Sequence, residues 1–378
     1  MHLYLKPRTL TVICKQAASM QGTAKTQYTM TMRSFAGITR IRQGLLLGLA
    51  MVLVIGGGAS YWLLRADRRE PEPAPELTHA EFMAEEQALV ARLQAAGSAE
   101  SFALLRQRIA DNPSVARECH PLLHMVGHAA FEHYKGFADA LANQDELCNS
   151  GYIHGVIEAA FEQSTDWTAT MQAVCPAGAA QTYRQWQCFH GVGHGLMYAQ
   201  QKDVPKSLAL CEQLPTQFAV QSCANGVFME KFIVVSHTGK RSHTTAPGHA
   251  FCKEQSVRYK ADCYIYAPTA FLADHPNQYH DAFNWCNGVE RGYTATCAQG
   301  VGSQAMKENI TRPAFAAALC TAVAADLRLP CIEGAVVVYI HNFASTKPAL
   351  ELCRHQAFIP FKQTCEATIR AATERLSI

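Results

Sequence analysis

The sequence contains none of the short motifs that mark common hydrolase, nucleotide-binding and haem-attachment sites. It has no G-x-S-x-G, no Walker-type loop, no G-x-G-x-x-G after a strand and no C-x-x-C-H. It also lacks the C-x2–4-C spacing of zinc knuckles, and no H-E-x-x-H is present, which argues against a zincin-type protease. Function therefore has to be inferred from residue clusters.

The chain has little net charge, and that charge is unevenly placed. The formal net charge is +2, yet residues 1–43 carry seven Lys/Arg and no Asp/Glu, which leaves −5 for the remainder. A mildly acidic body without a basic stripe argues against nucleic acid as a partner. The basic tail is better explained as a signal for membrane orientation.

Long apolar runs are equally scarce. Residues 44–64 form a run of 21 uncharged residues, long enough as a helix to cross the hydrocarbon core of a bilayer. We expect a single-pass anchor with a cytoplasmic N-terminus. Met32 is an alternative start, and the Gly56–Ser60 stretch is an alternative signal-peptidase site that would release the rest of the chain.

Cysteine is almost absent before residue 119 and abundant after it. Only Cys14 precedes the apolar run, whereas fourteen of the 15 cysteines follow it. An even number of cysteines beyond a membrane segment indicates disulfide bonds in an oxidising compartment. We therefore expect a periplasmic or extracellular body, with residues 1–43 as tail, 44–64 as anchor, 65–78 as a proline- and glutamate-rich spacer and 79–378 as the folded domain.

The cysteines repeat with a nearly fixed period. Those at 148, 188, 223, 263, 297, 331 and 365 are separated by 40, 35, 40, 34, 34 and 34 residues. Six of them have a second cysteine upstream, with 10 to 12 residues between the two. Such a period is typical of stacked repeats. The predicted disulfides are Cys119–Cys148, Cys175–Cys188, Cys211–Cys223, Cys252–Cys263, Cys286–Cys297, Cys320–Cys331 and Cys353–Cys365.

Helical spacing of apolar residues within each unit predicts an all-α fold. We expect helix–loop–helix units, cross-linked by intra-repeat disulfides, in an open solenoid or a closed α/α toroid. Residues 79–95 and about 100–110 are predicted as two capping helices. Five of the repeating cysteines begin a C-x-x-G, and the recurrence of glycine at one helical phase predicts close approach of neighbouring helices.

Histidines cluster in the first three repeats. Spacings of four residues place His124, His128 and Glu132 on one helix face, His154 and Glu158 on a second, and His190, His194 and Tyr198 on a third. The equivalent positions +2 and +6 from later cysteines carry other residues, among them Asn225 and Met229. The histidines are therefore not a structural feature of every repeat.

Imidazole and carboxylate groups together suit a transition metal such as Zn, Cu or Fe, and non-covalent haem is not excluded. The predicted metal ligands are His124, His128, His154, His190 and His194. Glu132 and Glu158 are candidate general bases if the protein is a metalloenzyme. The alternatives are a membrane-anchored scaffold that binds a protein or peptide partner on its concave surface, a pH-sensitive polar groove, and a purely structural role.

The other histidines carry weaker signals. His237, His243 and His249 lie in an inserted segment and could complete a site or form a lid over it. His120 and His133 are predicted to be structural. We expect surface or capping roles for His275, His280, His341 and His355.

Overall fold

The computed structural model of the protein describes residues 73–175, 182–232 and 248–376, and within these residues the fold is all-helical, without strands. The predicted tail and the predicted anchor at 44–64 lie outside the described residues. Among the described helices, none is both long enough and apolar enough to cross a membrane.

Eighteen α-helices and one 3₁₀ helix form within the described ranges. They are α1 (His79–Ala96), α2 (Ser98–Asp111), α3 (Pro113–Arg117), α4 (Cys119–His133), α5 (Phe137–Ala142), α6 (Leu147–Glu162), α7 (Trp167–Val174), α8 (Tyr183–Ala199), α9 (Val204–Cys211), α10 (Gln217–Phe232), α11 (Gly248–Lys253), α12 (Lys260–Asp274), α13 (Tyr279–Cys286), α14 (Thr294–Glu308), α15 (Pro313–Ala322), α16 (Arg328–Phe343), α17 (Thr346–Arg354), the 3₁₀ helix (Gln356–Phe361) and α18 (Lys362–Leu376).

The predicted pair of N-terminal helices is present with the predicted break. Thr78 and Glu81 form a capping box at the start of α1, which satisfies backbone N–H groups that the helix itself leaves without partners. Gly97 separates α1 from α2 at φ +88, a conformation that favours glycine. Helix α1 packs against α2 and α4 and so covers the start of the helical array.

From α4 onward, long helices alternate with short ones. The long helices α4, α6, α8, α10, α12, α14, α16 and α18 have 15 to 17 residues each. Side-chain caps begin several of the short ones: Asp166 caps α7, Asp203 caps α9 and Ser345 caps α17. The second cysteine of each predicted pair lies within the first two turns of its long helix.

All seven predicted cysteine pairs are at disulfide distance. Their Cα–Cα distances span 5.5 to 5.8 Å, within the normal range for cystines. Six bonds link a short helix or its end to the following long helix, whereas Cys119–Cys148 links the long helices α4 and α6 directly. This many disulfides indicates an oxidising, extracytoplasmic compartment.

The glycines of the C-x-x-G pattern lie where helix backbones touch. A Cβ atom built on Gly226 would be 2.0 Å from the His190 carbonyl oxygen, and one built on Gly334 would be 1.9 Å from that of Gln299. No side chain fits at such distances, so the predicted close approach holds at these positions. Gly191 differs, because its Cβ would meet the side chain of Ile157 at 2.7 Å.

The same contacts fix the direction of the first two long helices. Gly151 faces the His120 carbonyl and Gly155 faces the His124 carbonyl, so α4 and α6 run in the same direction. The long helices contact one another in chain order from α4 to α18, and α16 also contacts α6. Their facing sides line a cavity of about 1090 Å³.

The described end of the predicted spacer packs against this helical body. The backbone N–H of Ala74 donates to Asn309 Oδ1 at 2.8 Å, and Arg117 donates to the Ala74 carbonyl at 2.7 Å. Arg117 also pairs with Glu76 at 2.8 Å and with Glu308 at 3.2 Å. Residues 74–76, near the end of the predicted spacer, are therefore held against the helical body.

Candidate functional site

A cluster of imidazole rings lies where α4, α6 and α8 pack together. Five histidines form it, and each is no more than 5% exposed: His120, His124, His154, His190 and His194. Two buried carboxylates, Glu158 on α6 and Glu230 on α10, border the cluster. Burial of so many polar rings has an energetic cost unless each finds hydrogen-bonding or metal partners.

Helices α4 and α6 contribute the first half of the cluster. His120 and His124 are one turn apart, and their Nε2 atoms lie 3.1 Å from each other. On the opposite side of each ring, His120 Nδ1 is 2.8 Å from the Cys148 carbonyl oxygen, and His124 Nδ1 is 3.0 Å from Glu158 Oε1. The parallel packing of α4 on α6 produces this pairing.

Helices α8 and α10 repeat the arrangement. His190 and His194 are one turn apart with their Nε2 atoms at 3.2 Å, and His194 Nδ1 is 3.0 Å from Glu230 Oε2. Lys202 also approaches Glu230, at 3.4 Å. The second half differs from the first at His190. Its Nε2 lies 3.2 Å from the Met229 sulfur, and its Nδ1 has no hydrogen-bond partner among the described residues, whereas His120 Nδ1 faces the Cys148 carbonyl.

His154 lies between the two halves. Its ring centroid is 5.0 to 5.4 Å from those of the four other histidines in the cluster. His154 Nε2 lies 3.3 Å from Gln187 Oε1, while Nδ1 has no hydrogen-bond partner among the described residues. The amide of Gln187 in turn donates to Asn149 Oδ1 at 3.1 Å, which directs its oxygen toward His154.

These contacts decide where the protons of four histidines lie. A carbonyl or ionised carboxylate oxygen only accepts, so the nitrogen facing it must carry the proton. His120, His124 and His194 therefore donate from Nδ1, and His154 donates from Nε2 to the Gln187 oxygen. In a neutral imidazole the other nitrogen is then an unprotonated lone pair.

These unprotonated nitrogens come closest to each other between His120 and His124. With both rings neutral, two unprotonated Nε2 atoms face each other at 3.1 Å. Two lone pairs at that distance repel, so the pair requires a positive charge between them, either an extra proton or a metal ion. Metal-ligating histidines show this same arrangement, in which an outer acceptor fixes one nitrogen and the other binds the metal.

Burial favours the neutral, ligand-competent form of three of the rings, those of His120, His154 and His190. Burial, with the positive charge of Lys307 second, lowers the pKa of His120 well below its ordinary value. Burial also lowers the pKa values of His154 and His190. Burial acts to raise the pKa of Glu230, but the hydrogen bond from His194 holds it below its ordinary value, so this carboxylate stays ionised.

Three overlapping groups within the cluster have the geometry to hold a metal ion. They are His120, His124 and His154; His154, His190 and His194; and Glu158, His194 and Glu230. Within each group the potential ligand atoms lie within 4.8 Å of one another, and all members are buried. The first two groups share His154, so the His154 ring can bind a metal ion in only one of these two groups at a time.

The cluster borders the cavity lined by the long helices. His120 and Met229 line both, together with the ring of Trp186, which stacks on His190 at 4.8 Å between centroids. Lys307 lies in the same wall, and burial lowers its pKa. A ligand in the cavity would therefore meet the histidine cluster and the Lys307 amine together.

The structure brings together most of the predicted ligands. His124, His154, His190 and His194 all belong to the buried groups, whereas His128 is half-buried and contacts Glu158 at 3.0 Å from outside them. Glu158, a predicted candidate general base, contacts His124 Nδ1 at 3.0 Å. Glu132 lies apart, exposed at the surface, where it accepts a hydrogen bond from Gln163.

Sequence reasoning missed three members of this region. His120 was predicted to be structural, although it has the same four-residue spacing to His124 that marked the other ligands. Glu230 and Met229 come from the next helix, α10, and meet the cluster only because of how the helices cross. Nothing in the sequence spacing singles out Glu230.

The remaining histidines lie apart from these groups. His341 is buried instead of on the surface, with its ring 4.9 Å from that of Trp186. His249 stacks on Trp285, with the ring centroids 3.8 Å apart, and the exposed His133 contacts Tyr134. His237 and His243 lie outside the described residues.

Comparison with protein-family models, with curated proteins and with solved structures found no match for this chain.

Proposed function

We propose that this protein is an extracytoplasmic transition-metal protein, anchored by residues 44–64, whose metal centre lies among His120, His124, His154, His190 and His194. The observation that carries the proposal is the hydrogen bonding around four of these rings. Each donates from one nitrogen to an oxygen acceptor, which leaves its other nitrogen unprotonated and able to bind a metal ion.

Glu158 and Glu230 act as positioning residues in this centre. Each accepts a hydrogen bond from Nδ1 of a histidine and so fixes the orientation of that ring. A carboxylate partner also makes the imidazole a stronger ligand. Glu158 reaches His128 as well, which connects the exposed edge of α4 to the centre.

The cavity favours a metalloenzyme over a scaffold for a protein partner. The long helices follow one another until α16 meets α6, which supports a closed, toroid-like arrangement of the repeats around an internal space of about 1090 Å³. Pockets of this order accommodate small molecules or short peptides. A partner protein would need an open concave surface, as solenoids usually provide.

Elemental analysis of the full chain tests the proposal. The protein is produced in an oxidising compartment without a His tag, together with His124→Gln and, as a matched control on the same helix, His133→Ala. We expect about one or two equivalents of metal in the parent and the control, and a large loss in a folded His124→Gln. No metal in the parent after reconstitution with Zn, Cu and Fe would contradict the proposal.

A further inference from the structure

Met229 places a sulfur atom against one corner of the histidine cluster. Its side chain is 6% exposed, and its sulfur lies 3.2 Å from His190 Nε2. It occupies the position six residues after Cys223, which corresponds to the position of His194 after Cys188. The repeat after the histidine-bearing ones therefore has a thioether at the position where the preceding repeat has an imidazole.

The resulting corner combines three imidazoles with one thioether. His154, His190 and His194 have ligand atoms within 4.8 Å of one another, and all three side chains are fully buried. The nearby carboxylates are not part of this corner. Glu230 and Glu158 contact His194 at Nδ1, at 3.0 and 3.8 Å, whereas His190 contacts it at Nε2. The inward-facing donor set is therefore uncharged.

An uncharged set of nitrogen and sulfur donors discriminates among metals. Thioether sulfur is a soft ligand that selects copper(I), whereas zinc is bound through cysteine, histidine and carboxylate side chains. The charge of the ion also favours copper(I) over zinc(II). The cost of burying an ion rises with the square of its charge, so a site without an anionic donor accepts a monovalent ion more readily than a divalent one.

We propose that His154, His190, His194 and Met229 form a copper(I) site at the wall of the internal cavity. The inference rests on the proposed function, since it assigns a metal to one corner of the same cluster. Met229 also lines the cavity, so the sulfur side of the copper faces the space that a ligand would enter.

The test compares two metals in two methionine variants of the full chain. Metal-free protein is titrated with copper(I) against bicinchoninate, and separately with zinc(II) against a zinc-chelating dye. Met229→Leu keeps the apolar volume but removes the sulfur. Met171→Leu, at a buried position on the outer helix α7, is the matched control.

We expect Met229→Leu to weaken copper(I) binding about 10- to 100-fold and to change zinc(II) binding less than about twofold. Met171→Leu should behave as the parent for both metals. X-ray absorption of the copper-loaded parent should show a sulfur neighbour that is lost in Met229→Leu. This signature does not depend on any activity, and far-UV circular dichroism checks that each variant is folded.

The outcomes separate this inference from the proposed function. If the parent binds zinc(II) but Met229→Leu leaves copper(I) affinity and the absorption spectrum unchanged, the copper(I) site is refuted while the metal centre stands. If both metals weaken equally in Met229→Leu, the sulfur gives no preference and the inference is again refuted. If the parent binds neither metal, the copper(I) site is refuted, and the proposed function fails with it only when reconstitution with iron also gives no bound metal.

Discussion

Replacing Glu158 with glutamine should weaken metal binding without removing a metal ligand. In the structure, Glu158 lies 3.0 Å from both His124 Nδ1 and His128 Nε2, and it is fully buried. Glutamine keeps the shape but loses the negative charge. In the parent, carboxylate oxygens face the ring nitrogens of both His124 and His128. In the variant the glutamine NH2 group would replace one of these oxygens, so the orientation of the His124 ring would no longer be fixed.

Loss of an outer partner of this kind typically costs 10- to 100-fold in metal affinity, or about 1.4 to 2.8 kcal/mol. We expect a change in this range for Glu158→Gln, measured as zinc(II) affinity by competition with a chelator. Glu132→Gln is the matched control, because this carboxylate is exposed on α4 and contacts Gln163 instead of a ring in the cluster. Equal affinities for parent and Glu158→Gln, or equal losses in the two variants, would show that Glu158 does not position a metal ligand.

Three further predictions concern the fold. Gly334→Ala should lower the free energy of unfolding by about 1 to 3 kcal/mol in chemical denaturation, since its Cβ would lie 1.9 Å from the Gln299 carbonyl oxygen; an unchanged midpoint would contradict the close packing. Burial raises the pKa of Asp262 to about 6 from an ordinary 3.8, so the folded state holds this proton more tightly and stability falls as pH rises from about 4 to about 6. Asp262→Asn should remove that fall, measured as the free energy of unfolding against pH; a parent-like pH profile would count against it. Replacing Cys353 and Cys365 together by serine should cost about 3 kcal/mol, as for other loops of this length, and a melting temperature equal to that of the parent would contradict a structural disulfide.

The disulfide framework could be predicted from spacing because it is local. Each of six bonds closes a loop with a sequence separation of 11 to 13, and the period of the cysteines revealed the unit. The close helix contacts were also predictable. Glycine destabilises a helix interior, so its recurrence at one position, as at Gly226, indicates a place where a larger residue does not fit. Both signals depend on residues near one another in the chain.

The histidine cluster was predicted only in part because its geometry depends on how helices cross. The prediction placed His124, His128 and Glu132 on one face of α4 and left out His120, which lies one turn earlier on the same helix. Near the start of α6, the residues Cys148, Asn149 and Ser150 have φ of 54, 59 and 56, so helical positions counted from Cys148 do not give the correct helix face there. Glu230 on α10 contacts His194 on the neighbouring helix α8, and residue spacing along a single helix cannot predict a contact between two helices.

The most direct test of the metal centre is an anomalous-difference map from crystals of the protein loaded with zinc(II) or copper(I). We expect a strong peak bounded by nitrogens that the outer acceptors leave unprotonated, such as Nδ1 of His154 and Nε2 of His194. Glu230 and Gln187 should remain hydrogen-bonded to the far side of these rings. Metal only at exposed histidines such as His133, or no peak with the five buried rings in the same place, would contradict a metal centre in the cluster.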